Sequence, residues 1–215
     1  MYKTYQTDHS FFTILVPKMC NYYAWPIYEW LFKEDKSKFR LIQDIEIEEN
    51  HSVLKEVNDI YPGIKTIGVV MNPYARIIYK LNKILEDDQS TLSITDRVIR
   101  NTFESRVVDP LFKKTIMELD DTGYTSLSSP SAVLLPQLHW LSYEDEQGYH
   151  QSEYIVRGEY IEQDLQPLAD YFCLDKIEVN MYADNIDYRP YYTDEIYNMV
   201  TKLYELDIKT FGYEF

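Results

Sequence analysis

Ile64-Lys65-Thr66-Ile67-Gly68-Val69-Val70-Met71-Asn72-Pro73-Tyr74-Ala75-Arg76 decides the fold. Ile64 to Val70 is nearly continuous in apolar and β-branched residues. That is the pattern of a strand covered on both faces, as in a parallel sheet, because a strand with one wet face would alternate. From Pro73 the period changes. Tyr74, Ile77, Ile78, Leu81 and Leu85 fall on one face of a helix running to about Leu85, with Arg76, Lys80 and Lys83 off it. A strand, a short corner and a helix make the repeating unit of an α/β protein.

A similar unit precedes it. Ile14-Leu15-Val16 runs into Pro17-Lys18, and Pro26 to Phe32 reads as a helix. Such corners suit phosphates, because a helix start leaves backbone N–H groups unpaired and its dipole adds partial positive charge. A lysine at the corner supplies counter-charge. Two such corners point to a nucleotide site at one edge of the sheet.

The remaining elements follow from periodicity and punctuation. Phe39 to Ile47 is mostly strand-like, and His51 to Ile60 is a short helix stopped by Tyr61-Pro62-Gly63. Ser93 or Thr95 caps a helix carrying Val98, Ile99 and Phe103. Phe112, Ile116 and Leu119 mark another that ends near Asp121-Thr122-Gly123. Tyr124 to Pro136 reads as a loop, and Ser152 to Arg157 as a strand. A helix with Ile161, Leu165, Leu168 and Phe172 follows, then a short strand at Glu178 to Tyr182. The final helix opens at Thr193-Asp194-Glu195 and buries Ile196, Met199, Val200 and Leu203. The expectation is one α/β domain over residues 1–215, with a central, mostly parallel sheet flanked by helices.

Composition narrows the partners. With 215 residues, 45% of them hydrophobic, the chain can bury a sizeable core. No stretch is long and apolar enough to cross a bilayer, and Met1 to Ser10 lacks the layout of a signal peptide, so a soluble, cytoplasmic protein is expected. A formal charge of −15 disfavours nucleic acid and anionic membranes, which bind through clustered Lys and Arg. Cys20 and Cys173 stand alone, without metal-ligand spacing, so reduced thiols and no metal site are expected. The six glycines never cluster and GxxxxGK[ST] is absent, which argues against an ordinary ATPase or GTPase.

The order of four segments carries a resemblance. They are Pro17-Lys18 after the first strand, Asn72-Pro73-Tyr74-Ala75-Arg76 after the second, and Val156-Arg157-Gly158-Glu159-Tyr160-Ile161-Glu162-Gln163-Asp164. The fourth runs from Asp187-Tyr188-Arg189-Pro190-Tyr191-Tyr192-Thr193-Asp194-Glu195 to the closing Asp207-Ile208-Lys209-Thr210-Phe211-Gly212-Tyr213-Glu214-Phe215. From about Phe12 to Phe215 the chain resembles the sulfotransferase family, and most of all its compact bacterial and phage-type members related to carbohydrate sulfotransferases. The resemblance implies a P-loop-like α/β fold and transfer of a sulfuryl group from phosphoadenosine phosphosulfate (PAPS) to a hydroxyl of a small molecule or carbohydrate. It implies that Pro17, Lys18 and Asn21 lie in the loop around the nucleotide's 5′-phosphate, with Lys18 stabilising charge on the bridging oxygen. It also implies Asn72 and Arg76 at the donor, and His51 as the base that takes the acceptor's proton.

The same alignment of motifs shows departures. Met19, Cys20, Asn21, Tyr22 and Tyr23 stand where the family has small residues. Met71 and Tyr79 stand where it has the Arg and Ser that hold the 3′-phosphate, and Glu159-Tyr160-Ile161 replaces Glu-Asn-Leu. A catalytically inactive relative, acting in binding or assembly, therefore stays open beside the enzyme. So do plainer readings: Lys18 as a surface lysine, His51 exposed on its helix, Arg76 in packing and Arg157 with Glu159 as an ion pair at the strand end. His139 and Trp140 could line an acceptor pocket or belong to the core. The 21 tyrosines could stack on sugars or pack among themselves.

Overall fold

The computed structural model describes residues 12–15, 27, 29–30, 39–41, 53–86, 92–114, 134–173, 177 and 187–215. Its strands are β1 (Phe12–Leu15), β2 (Phe39–Leu41), β3 (Lys65–Val70), β4 (Ser142–Asp145), β5 (Gly148–Gln151) and β6 (Tyr154–Arg157). Its helices are α1 (Val53–Ile60), α2 (Pro73–Glu86), α3 (Ile94–Ser105), α4 (Leu138–Leu141), α5 (Ile161–Phe172), α6 (Asp194–Leu203) and α7 (Glu205–Phe211). The expected helix over Pro26 to Phe32 lies largely outside these residues. Beyond them too are residues 42–47 of the strand read at Phe39 to Ile47, the helix past 114, most of the loop from Tyr124 and the strand at Glu178 to Tyr182.

The protein is α/β with a small parallel sheet in the order β2-β1-β3-β6. Phe12 pairs with Phe39 on one side and Lys65 on the other, and Ile67 pairs with Tyr154, all in parallel register. Every residue of β3 after Lys65 is buried, as its apolar run requires. Alternate side chains enter two clusters. Ile67 and Val69 join Val156 and the α5 residues Ile161, Leu165 and Leu168. Val70 joins the larger cluster with Leu54 and Val57 of α1, Ile78 and Leu81 of α2, Phe103 of α3, and Ile196 and Val200 of α6. Between them Gly68 gives Leu141 and Ile155 room, since a Cβ there would stand 2.9 Å from Leu141 Cδ1 and 3.0 Å from Ile155 Cδ1.

Ser93 is the cap of α3. Its Oγ accepts from the Asp96 N–H, and the Asp96 carboxylate accepts from the Ser93 N–H, closing a capping box. Two features depart from the sequence expectation. An antiparallel hairpin, β4 with β5, occupies residues 142–151 and turns at Glu146-Gln147 into Gly148, whose φ is +121°. Its strands are mostly half-exposed and polar, so they leave little hydrophobic signature. The helix expected from Thr193 to Leu203 is α6, but it is not the last: α7 follows it and ends at Gly212 in the left-handed region at φ +68°. Among the described residues no helix is long and apolar enough to cross a membrane.

Candidate functional site

The chain leaves β1 to form β2 on one side and leaves β3 to reach β6 on the other, so the connections diverge between β1 and β3. The carboxyl edge at such a divergence is where open α/β sheets bind ligands. β1 ends at Leu15, level with Gly68 of β3. Pro17, Lys18 and Asn21 follow Leu15 in sequence but lie outside the described residues, as does His51. Asn72 and Arg76, at the neighbouring β3–α2 corner, are described.

Asn72 begins α2. Its Oδ1 accepts from the Tyr74 N–H at 2.9 Å, and Pro73 holds the first helical position, where a missing N–H costs nothing. The Asn72 backbone N–H donates to Glu159 Oε1 at 2.7 Å. Its Nδ2 donates to the carbonyl of Glu214 at 3.0 Å and to the Tyr188 hydroxyl at 3.2 Å. Both side-chain ends and the N–H of this buried residue are thus engaged within the protein. Glu159 accepts at its other oxygen from the Tyr213 hydroxyl, 3.1 Å away. Burial pushes its carboxyl above the usual range, and the Asn72 N–H and Tyr213 hydroxyl oppose that shift.

One residue upstream, Met71 is 2% exposed, and its peptide group is clasped by Gln137. The Met71 N–H donates to Gln137 Oε1 at 2.9 Å, while Gln137 Nε2 donates back to the Met71 carbonyl at 2.8 Å. The backbone N–H groups of Gln137 and Leu138 donate to the fully buried carboxylate of Asp207, at 2.6 and 2.9 Å. Burial raises the Asp207 pKa; these N–H groups and the charge of Arg76 pull it back.

Arg76, expected at a ligand, is instead a core residue. It is 1% exposed, its Nη2 donates to the Leu135 carbonyl at 2.7 Å, and its guanidinium lies 5.5 Å from the Tyr204 ring centroid. The physical reason is its place on α2, which packs into the larger core on several sides. Tyr204 is itself buried, with its hydroxyl donating to the Leu134 carbonyl at 2.8 Å. The Arg157–Glu159 ion pair is also corrected. Arg157 pairs with Asp164, Nε to Oδ2 and Nη2 to Oδ1 at 2.8 Å each, and its backbone N–H reaches the same carboxylate at 2.9 Å.

The chain matches no family model, no curated protein and no solved structure. Of the four segments quoted for the resemblance, Pro17-Lys18 lies outside the described residues, and the other three touch one another. Asn72, Glu159, Tyr188, Tyr213 and Glu214 meet at the β3–α2 corner through the hydrogen bonds above. Around them Phe215 sits 4.9 Å from the Tyr74 ring centroid, 4.6 Å from Tyr197 and 5.5 Å from Tyr192. These rings also pack on one another, Tyr74 lying 5.6 Å from Tyr192 and 5.7 Å from Tyr197 between centroids.

Gln137 and Asp207 are absent from the expected site residues, although Asp207 opens the closing segment Asp207 to Phe215. A polar residue between apolar neighbours, as in Leu135-Pro136-Gln137-Leu138, was the signal for the first. His139 and Trp140 follow, with Trp140 buried in the larger cluster and the His139 pKa lowered by burial. An open cavity of about 560 Å³ lies against α3, lined by Leu92, Arg97, Arg100, Asn101 and Glu104.

Proposed function

We propose that the protein is a sulfotransferase of P-loop-like α/β fold that moves a sulfuryl group from PAPS to a hydroxyl of a small molecule or carbohydrate. The observation that supports this reading is the divergence of connections between β1 and β3, which makes the end of β1, followed by Pro17 and Lys18, the natural anion corner. In the reaction the bond from sulfur to the bridging phosphate oxygen breaks and one to the acceptor oxygen forms. Lys18 neutralises the charge left on the phosphate, and His51 takes the acceptor's proton. Pro17 and Asn21 complete the 5′-phosphate loop.

A second reading, a non-catalytic binding or assembly protein, is favoured by one specific observation: Asn72 is hydrogen-bonded to Glu159 and Glu214, and Arg76 is buried with its Nη2 on the Leu135 carbonyl. Thermal denaturation with adenosine 3′,5′-bisphosphate, the desulfated donor, separates the two, because a ligand of the folded state raises the melting temperature. A rise, together with radiolabel transfer from PAPS that Lys18→Ala abolishes, supports the enzyme. No rise at millimolar nucleotide supports the second reading.

A further inference from the structure

We infer that the open cavity against α3 is a binding site for a small organic oxyanion, a carboxylate or phosphate group, which Arg97 and Arg100 grip together. None of its residues belongs to the proposed donor site, so the two stand or fall separately.

α3 is amphipathic. Val98, Ile99, Thr102 and Phe103 are buried. Arg97, Arg100, Asn101 and Glu104, spaced at i, i+3, i+4 and i+7, share another face, and with Leu92 they line the cavity of about 560 Å³. That volume suits a small molecule. Among the described residues no hydrogen bond or ion pair engages the Arg97 side chain, which is exposed. Arg100 gives its Nε to Glu104 Oε2 at 2.8 Å, and among the described residues no acceptor meets its Nη groups. The other carboxylates near this face are already engaged. Asp96 is held by Lys80 at 2.8 Å and by Ser93, while Asp109 accepts from the Leu111 N–H and, at 3.5 Å, from Asn101 Nδ2. Two guanidiniums against one carboxylate leave a positive lining in a chain whose formal charge is −15. Residues three apart on a helix stand about 5–6 Å apart at Cβ, so both side chains can reach one oxyanion. A guanidinium fork matches the paired oxygens of a carboxylate or phosphate, and a concave wall strengthens the attraction.

NMR titration of the full chain, following the Arg97 and Arg100 Nε–H signals, tests this with sodium succinate and with sodium phosphate. Sodium chloride at equal ionic strength is the control. Saturable shifts with a dissociation constant below about 10 mM are expected for at least one of the two, and the tighter one assigns the oxyanion. Shifts that chloride reproduces, or that never saturate, overturn the site. Arg97→Gln alters an exposed position outside the core, and it should weaken binding about tenfold, the worth of a charge-assisted pair. Unchanged affinity in that variant overturns the inference. Glu104→Gln removes the lining carboxylate and should tighten binding about threefold. Weaker binding there would contradict the charge argument and overturn the inference as well.

Discussion

Gln137 and Met71 exchange a pair of hydrogen bonds, amide against peptide, and through them the 134–141 segment is fastened to the end of β3. Gln137 is fully buried, so no water is at hand to replace it. Gln137→Ala leaves the N–H and carbonyl of Met71 without these partners and opens a hole beside Asp207. A loss of about 2–4 kcal/mol in unfolding free energy is expected, read from urea titration. A change under about 0.5 kcal/mol would show the clasp to be dispensable.

Gly68 lies where β3 meets Leu141 and Ile155, with side-chain carbons 2.9 to 3.1 Å from the place of a Cβ. Gly68→Ala needs both neighbours to shift, and Gly68→Val needs more. Thermal unfolding should show the alanine variant destabilised by about 1–2 kcal/mol and the valine variant by more. Equal stability of all three forms would mean that the contact is slack.

Arg157 holds Asp164 with two parallel side-chain bonds, and both groups are largely shielded, at 24% and 10% side-chain exposure. The pair ties the end of β6 to the first turn of α5. A lysine offers a point charge and cannot reproduce the fork, so Arg157→Lys should cost about 1–2 kcal/mol in urea titration although the charge is kept. A lysine variant as stable as the original would make the geometry irrelevant and leave only the charge.

Glu159 gives a pH dependence with a definite sign. Burial raises its pKa in the folded state above the unfolded value, so the folded protein holds this proton more tightly. The stabilisation from that proton is fully present below the unfolded pKa and is lost as pH rises through the folded one. Relative to Glu159→Gln, the unaltered protein should therefore lose stability between about pH 4 and neutrality. Paired urea titrations across that range check it, and a difference that stays flat or moves the other way would show that the charge is not penalised.

The strand and helix around Asn72 were readable as letters because both of their signals are local. An apolar run of β-branched residues specifies a strand covered on both sides, and a 3.6-residue period specifies α2 whatever lies beyond them. Ser93, one of two candidates at the start of α3, and Thr193 at the start of α6 were readable for the same reason, since a cap bonds within its own first turn. The hairpin at residues 142–151 was not, because its half-wet polar strands carry no strong alternation and it is defined by pairing across the turn.

Charge partners were the other blind point. Arg157 sits two residues from Glu159 in the chain yet bonds to Asp164, because Ile161 starts a helical turn that carries Asp164 back over the strand end. Arg76 looked like a cation at a ligand corner, and its burial depends on Leu135 and Tyr204, both far along the chain. Local order is written in short-range periodicity and caps, so composition and pattern are enough to specify an α/β chain. The partner a buried polar group finds depends on which distant segments pack beside it, and that becomes known when the chain has closed on itself.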